Sequence, residues 1–120
     1  MSRCVMELVS VLSAVRFSND KMQKVNLFET SNLFCDAYCL RPGQGQKPHT
    51  HQGADKIYYV LQGEATVQIG SEKCILRAGQ IVLAPSDTLH GVENTSQSDV
   101  TLLVIMAPNP NREQCKEQRH

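Results

Sequence analysis

The segment Gly43–Gly63, GQGQKPHTHQGADKIYYVLQG, decides how the rest of this chain is read. Near its centre His49 and His51 stand two residues apart, and in an extended strand the side chains at i and i+2 leave the same face. Two imidazoles so placed can converge on one ion. A second segment, Gly79–Asn94, GQIVLAPSDTLHGVEN, adds His90 behind an apolar run and a Pro-Ser-Asp turn. The remaining histidine, His120, ends the chain, so every histidine outside the tail lies in one of these two segments.

Around them the chain breaks into short extended runs. KVNLFE (24–29), LFCDAYCL (33–40), IYYVL (57–61), EATVQI (64–69), KCILR (73–77), QIVLAP (80–85), LHGVEN (89–94) and VTLLVIMA (100–107) are rich in β-branched and aromatic residues and bounded by Gly, Pro, Asn, Asp and Ser. Regular short strands with no helices between them predict an all-β sandwich or barrel over 24–108. Gly70 with Ser71 predicts a hairpin, and Gly63 and Gly79 punctuate strand ends. Before the barrel, Val5, Leu8, Leu12 and Val15 recur at helical spacing, predicting a short helix or arm within 1–23. After it, Ala107-Pro108-Asn109-Pro110 stops the last strand, and 109–120 has almost no apolar content, which predicts a mobile polar tail.

Composition narrows the function classes. A chain of 120 residues and 13.4 kDa makes one domain. Twelve basic residues balance twelve acidic ones, which argues against nucleic acid and membrane surfaces as partners. Glu7 interrupts the apolar opening, and no stretch has the length of a membrane span. Cys4, Cys35, Cys39, Cys74 and Cys115 are odd in number and form no C-x-x-C pair, so they read as reduced thiols of a cytoplasmic protein.

The two histidine segments resemble the paired motifs of the cupin family. The first motif runs Gly, five residues, His-x-His, three or four residues, Glu, six residues, Gly, and Gly43, His49, His51 and Gly63 match it. The second runs Gly, five residues, Pro-x-Gly, two residues, His, three residues, Asn. Gly79, Pro85, His90 and Asn94 match, with Asp87 in place of the middle glycine. The resemblance covers roughly 25–108 and implies a double-stranded β-helix, that is, a jelly-roll barrel. It also implies a divalent transition metal (Fe, Mn, Ni, Cu or Zn) held by His49, His51 and His90.

Lys56 stands where the family places its carboxylate ligand. A protonated amine has no lone pair for a metal, and the adjacent Asp55 faces the other way unless the strand is bulged. An inward Lys56 would oppose a nearby cation and attract an anionic substrate group; an outward one would snorkel to water. Tyr38 and Tyr58 are candidates for the interior, Cys39 for a soft ligand and Arg41 for an acid-binding group at the mouth. The run 57–61 is apolar on both faces, so its outer face needs a cover; a homodimer is the simplest one, and the N-terminal arm is the alternative.

Two functional classes follow. One is a metal-dependent, dioxygenase-like enzyme acting on a small oxygen-rich molecule. The other is a noncatalytic cupin binding an anion or sugar-like ligand, with a metal-free isomerase using Lys56 or Tyr58 between them.

Overall fold

The computed structural model describes residues 6–111. Within them lie one short helix, α1 (Val11–Ala14), and nine strands: β1 (Gln23–Glu29), β2 (Phe34–Leu40), β3 (Gly45–His49), β4 (Asp55–Gln62), β5 (Glu64–Ile69), β6 (Glu72–Arg77), β7 (Ile81–Ala84), β8 (His90–Glu93) and β9 (Val100–Ala107). They form two antiparallel sheets, ordered β1-β2-β9-β4-β7 and β3-β8-β5-β6, packed as a double-stranded β-helix.

Strand alternation builds the core. In β4, Lys56, Tyr58 and Val60 are buried while Ile57, Tyr59 and Leu61 are half-buried on the other face. Tyr58 and Val60 lie opposite Val104 and Leu102 of β9. From the facing sheet, Ala65, Val67 and Val92 close the same cluster. Each such buried aliphatic side chain contributes about 1.5–3 kcal/mol relative to exposure, and the period of two decides which residues gain it.

Three local features depart from the sequence reading. First, the run 45–49 forms a strand despite Gly45 and Pro48. It is the edge of its sheet, where a missing N–H is tolerated, and a Cβ at Gly45 would lie 2.5 Å from the Val92 carbonyl oxygen. Second, the N-terminal periodicity yields a single helical turn. Ser10 offers no side-chain cap, and Val9, Val11 and Val15 favour extended backbone. Leu8 and Leu12 are 77% and 52% exposed, and Val5 lies outside the described residues.

Third, Asn109, placed in the polar tail by its composition, is fully buried. Its Nδ2 donates to Glu29 Oε2 at 3.0 Å and to the Thr30 carbonyl at 2.8 Å, and its Oδ1 accepts from the Asn111 N–H. Residues 112–120, the remainder of that expected tail, lie outside the described residues.

Asp87 has φ 63°, the one non-glycine positive φ among the described residues, at the motif position where the family has glycine. Its N–H donates to the His51 carbonyl at 2.9 Å, a bond any residue would keep. Removing the Cβ relieves left-handed strain, partly offset by glycine's entropy in the unfolded chain. Asp87→Gly is therefore expected to stabilise the protein by roughly 0.5–1 kcal/mol in urea unfolding; an unchanged or lower midpoint would count against the strain.

Candidate metal centre

Two sheet positions and one loop bring the three histidines together. His49 and His90 are direct cross-strand partners of the β3–β8 ladder. β3 ends at His49, so His51 reaches the cluster from the following loop, which the Asp87 N–H fixes through the His51 carbonyl. The ring centroids are 4.5 Å apart for His49–His90, 4.8 Å for His49–His51 and 5.5 Å for His51–His90. One nitrogen from each ring lies within 4.8 Å of the others.

Backbone carbonyls orient two of these rings. His49 Nδ1–H donates to the Lys47 carbonyl at 2.8 Å and His90 Nδ1–H to the Thr88 carbonyl at 2.9 Å. Because a carbonyl only accepts, each bond places the proton on Nδ1 and leaves Nε2 with its lone pair free. His49 Nε2 and His51 Nε2 approach to 3.1 Å. Two nitrogens on one ion at about 2.0–2.2 Å span roughly 2.8–3.6 Å for bond angles of about 90–110°, so this pair is spaced as metal ligands are.

His90 Nε2 is buried and has no hydrogen-bond partner. Burial, the largest cause, pushes His90 down to about 4, with Lys56, His49 and His51 adding to the shift against the opposing Thr88 carbonyl. Burial, then His49, Lys56 and Lys24, also lowers His51. Both rings are thus held neutral at pH 7. The residues present fit a metal: among the described residues these three side chains are the one His/Cys/Asp/Glu group that could hold an ion.

Lys56 points inward. It is 1% exposed, and its Nζ donates to Gln46 Oε1 at 3.2 Å and lies over the rings of Tyr58 and Tyr38 at 5.1 and 5.4 Å. Asp55, its neighbour, is exposed and accepts the Ser86 N–H through Oδ1, so it does not replace the missing carboxylate. The cleft, about 510 Å³, is lined by His49, His51, Lys56, Tyr38, Gln46 and Lys24. Phe34 and Met106 form its apolar wall, and Pro110 and Asn111, anchored by Asn109, its rim.

The other candidates lie elsewhere. Tyr58 is buried in the core with its hydroxyl unpartnered, and burial, then Tyr38, raises its pKa above the ordinary phenol value. Tyr38, raised by burial and then by Asp36, does reach the cleft. Cys39 faces away from the neighbouring inward residues Tyr38 and Leu40 and meets the Arg16 backbone, so it is no ligand. Arg41 pairs with Asp99 at 3.5 Å. Asn94 is structural: its Nδ2 donates to the Leu40 and Ser98 carbonyls and its Oδ1 accepts from Ser96. Gln46, Lys24 and Asn111 had no local signal, because the ladder and the Asn109 anchor bring them to the cleft.

Fold and cluster together define the class. The family model described as Cupin domain matches residues 37–106, and the chain belongs to the cupin family. Among solved structures, TT1209 from Thermus thermophilus superposes with TM-score 0.86 and 42% identity, covering 88% of this chain and 100% of that one. The oxalate-binding protein of Thermotoga maritima is 31% identical over 67 residues, 56% of this chain and 55% of that protein. The pectin degradation protein KdgF of Dickeya dadantii is 36% identical over 55 residues, 46% of this chain and 50% of that protein. The chain thus spans about half the length of these two curated relatives. No helix among the described residues is long and apolar enough to cross a membrane.

The buried ammonium has a stability consequence. Burial, then Lys24, pushes Lys56 down to about 8 against the opposing Asp36, from an ordinary value of 10.5. Below pH 8 both folded and unfolded chains are protonated here and folding bears the full penalty. Between about 8 and 10.5 the unfolded chain holds more protons, so rising pH relieves it. The penalty is on the order of 3 kcal/mol. Chelator-treated Lys56→Met protein should therefore be more stable than wild type at pH 7, by about 1–3 kcal/mol, with the gap shrinking by pH 10. A gap in thermal midpoint that stays constant with pH would show that charge burial is not its source.

Proposed function

We propose that this chain is a metal-binding cupin whose three-histidine centre takes a small oxygen-rich molecule as ligand or substrate. The observation that carries this reading is the buried, unpartnered Nε2 of His90, grouped with the nitrogens of His49 and His51. A divalent transition ion (Fe, Mn, Ni, Cu or Zn) bound there would supply Lewis acidity toward an oxygen ligand. The chain's own part is to orient and shield. The Lys47 and Thr88 carbonyls hold two rings in the ligating tautomer, and Phe34 and Met106 keep one wall dry. Tyr38 and Gln46 frame Lys56, whose ammonium faces the cleft where negative charge on a bound oxygen would develop.

Three neutral donors leave coordination positions for both a substrate and a second small molecule, which suits a dioxygenase-like reaction. Noncatalytic binding is the second reading, favoured by the buried Lys56 cation and by likeness to a relative named as oxalate-binding. A metal-free isomerase would have to work through Lys56, which lines the cleft, and not through Tyr58, whose hydroxyl lies in the core. The unpaired thiols of Cys35, Cys39 and Cys74 suit a reducing, cytoplasmic setting.

Elemental analysis of purified protein tests the centre. Near-stoichiometric transition metal is expected in wild type and should be lost in His49→Ala and His90→Ala. Lys56→Glu should retain metal more tightly, because it exchanges a repelling cation for a ligand. Wild type that takes up none of these ions, even after incubation with them, would sink the reading. Oxygen uptake by the loaded protein then separates the catalytic reading from the binding one.

The same reading includes a homodimer through the outer face of the five-stranded sheet. Ile81 and Leu83 of β7 are 63% and 53% exposed there, beside half-buried Ile57, Tyr59, Leu103 and Ile105. Light scattering should give twice the chain mass for wild type and a monomer for Leu83→Asp. A monomeric wild type at micromolar concentration would overturn it.

A further inference from the structure

Lys56 is a buried cation that the protein itself does not neutralise. Among the described residues the only carboxylate and cation in contact are Asp99 and Arg41. Lys56 Nζ has one polar partner, the neutral Gln46 Oε1, and otherwise faces two aromatic rings. A second ammonium, on exposed Lys24, lies 5.4 Å from the centroid of the Tyr38 ring that Lys56 also meets. The opposing charge that Lys56 feels, Asp36, is not in contact with it and is itself held by Asn26 Nδ2 at 2.9 Å.

Where the family motif places a ligating carboxylate of charge −1, this chain has an ammonium of charge +1, so the cleft is two units more positive. Two lysines, His49 and His51 surround a space of about 510 Å³ with an apolar wall. A buried, uncompensated cation is unfavourable, and a bound anion converts that cost into affinity.

We propose that the ligand of this site is a small carboxylate, seated with one oxygen on Lys56 Nζ and with Lys24 at the rim, taking the place of the motif carboxylate that this chain lacks. The contact to Lys56 requires no metal. Only the ligand's second contact, at the three-histidine face, rests on the metal-binding reading above. The same geometry disfavours cations, for which two ammonium groups at the cleft are a barrier, and gives neutral polyols no partner for the buried charge.

Malonate serves as the probe and its neutral analogue malonamide as the control, titrated by calorimetry into metal-loaded and chelator-stripped protein. Malonate is expected to bind both forms of wild type, more tightly when loaded, and malonamide at least 10-fold more weakly in each. Lys56→Gln should weaken malonate at least 10-fold in both forms while keeping or raising metal content. Lys24→Gln, at an exposed position, should weaken it about threefold and provides the test if Lys56→Gln does not fold. Equal affinity for malonamide, unchanged malonate affinity in these variants, or no malonate binding to either form would overturn the proposal. Wild type that retains no metal yet binds malonate in a Lys56-dependent way would support the anion subsite and remove the metal reading instead.

Discussion

The register of β4 between β7 and β9 is the constraint from which the site follows. Side chains alternate with a period of two, so one residue of slip would turn Asp55 inward and Lys56 outward. Asp55 pairs with Ala107, Lys56 with both Met106 and Ala84, and Tyr58 with both Val104 and Val82. Tyr58 and Val60 are fully buried in this register, and the packing they gain against Leu102 and Val104 fixes it. Lys56 then has no choice of face. The chemistry of the cleft, cationic where the family motif is anionic, is a consequence of hydrophobic packing two and four residues further along the same strand.

A second coupling joins the two motifs. His51 lies beyond the end of β3, where no ladder hydrogen bond fixes it, yet its carbonyl accepts the Asp87 N–H from the loop before β8. That loop also supplies the Thr88 carbonyl that orients His90. The backbone position of His51 and the tautomer of His90 therefore depend on one short turn, and the positive φ at Asp87 is what lets the chain make it. The strain is local, and the benefit appears at the neighbouring imidazoles.

Most of the fold was legible because its signals are local. Eight of the nine strands carry β-branched or aromatic runs bounded by turn residues, and the histidine spacings point to a cluster before any geometry is known. What stayed hidden is held by partners distant in sequence. β3 contains Gly45 and Pro48 and becomes a strand only because β8 supplies its ladder. Asn109 is buried through contacts to Glu29 and Thr30, nearly eighty residues away, so its polar surroundings in sequence suggested a tail. The helical period near the N-terminus misled in the opposite sense: the spacing was present, but caps and a packing surface for Leu8 and Leu12 were not.

The exchange of a carboxylate for an ammonium also changes what the histidines must do. With a carboxylate ligand, a centre of this kind would carry its own negative charge; here the three candidate donors are imidazoles, so the balancing charge of a bound ion would come from what enters the cleft. Lys56 and an ion at the histidines would repel one another in a cleft empty of anions, and both would be stabilised by the same bound anion. If an ion and an anion both bind as proposed, occupancy of the two positions would be linked through the ligand: each would raise the affinity of the ligand, and by reciprocity the ligand would raise the affinity for the ion. A centre built in this way would hold a metal most tightly when such a ligand is present.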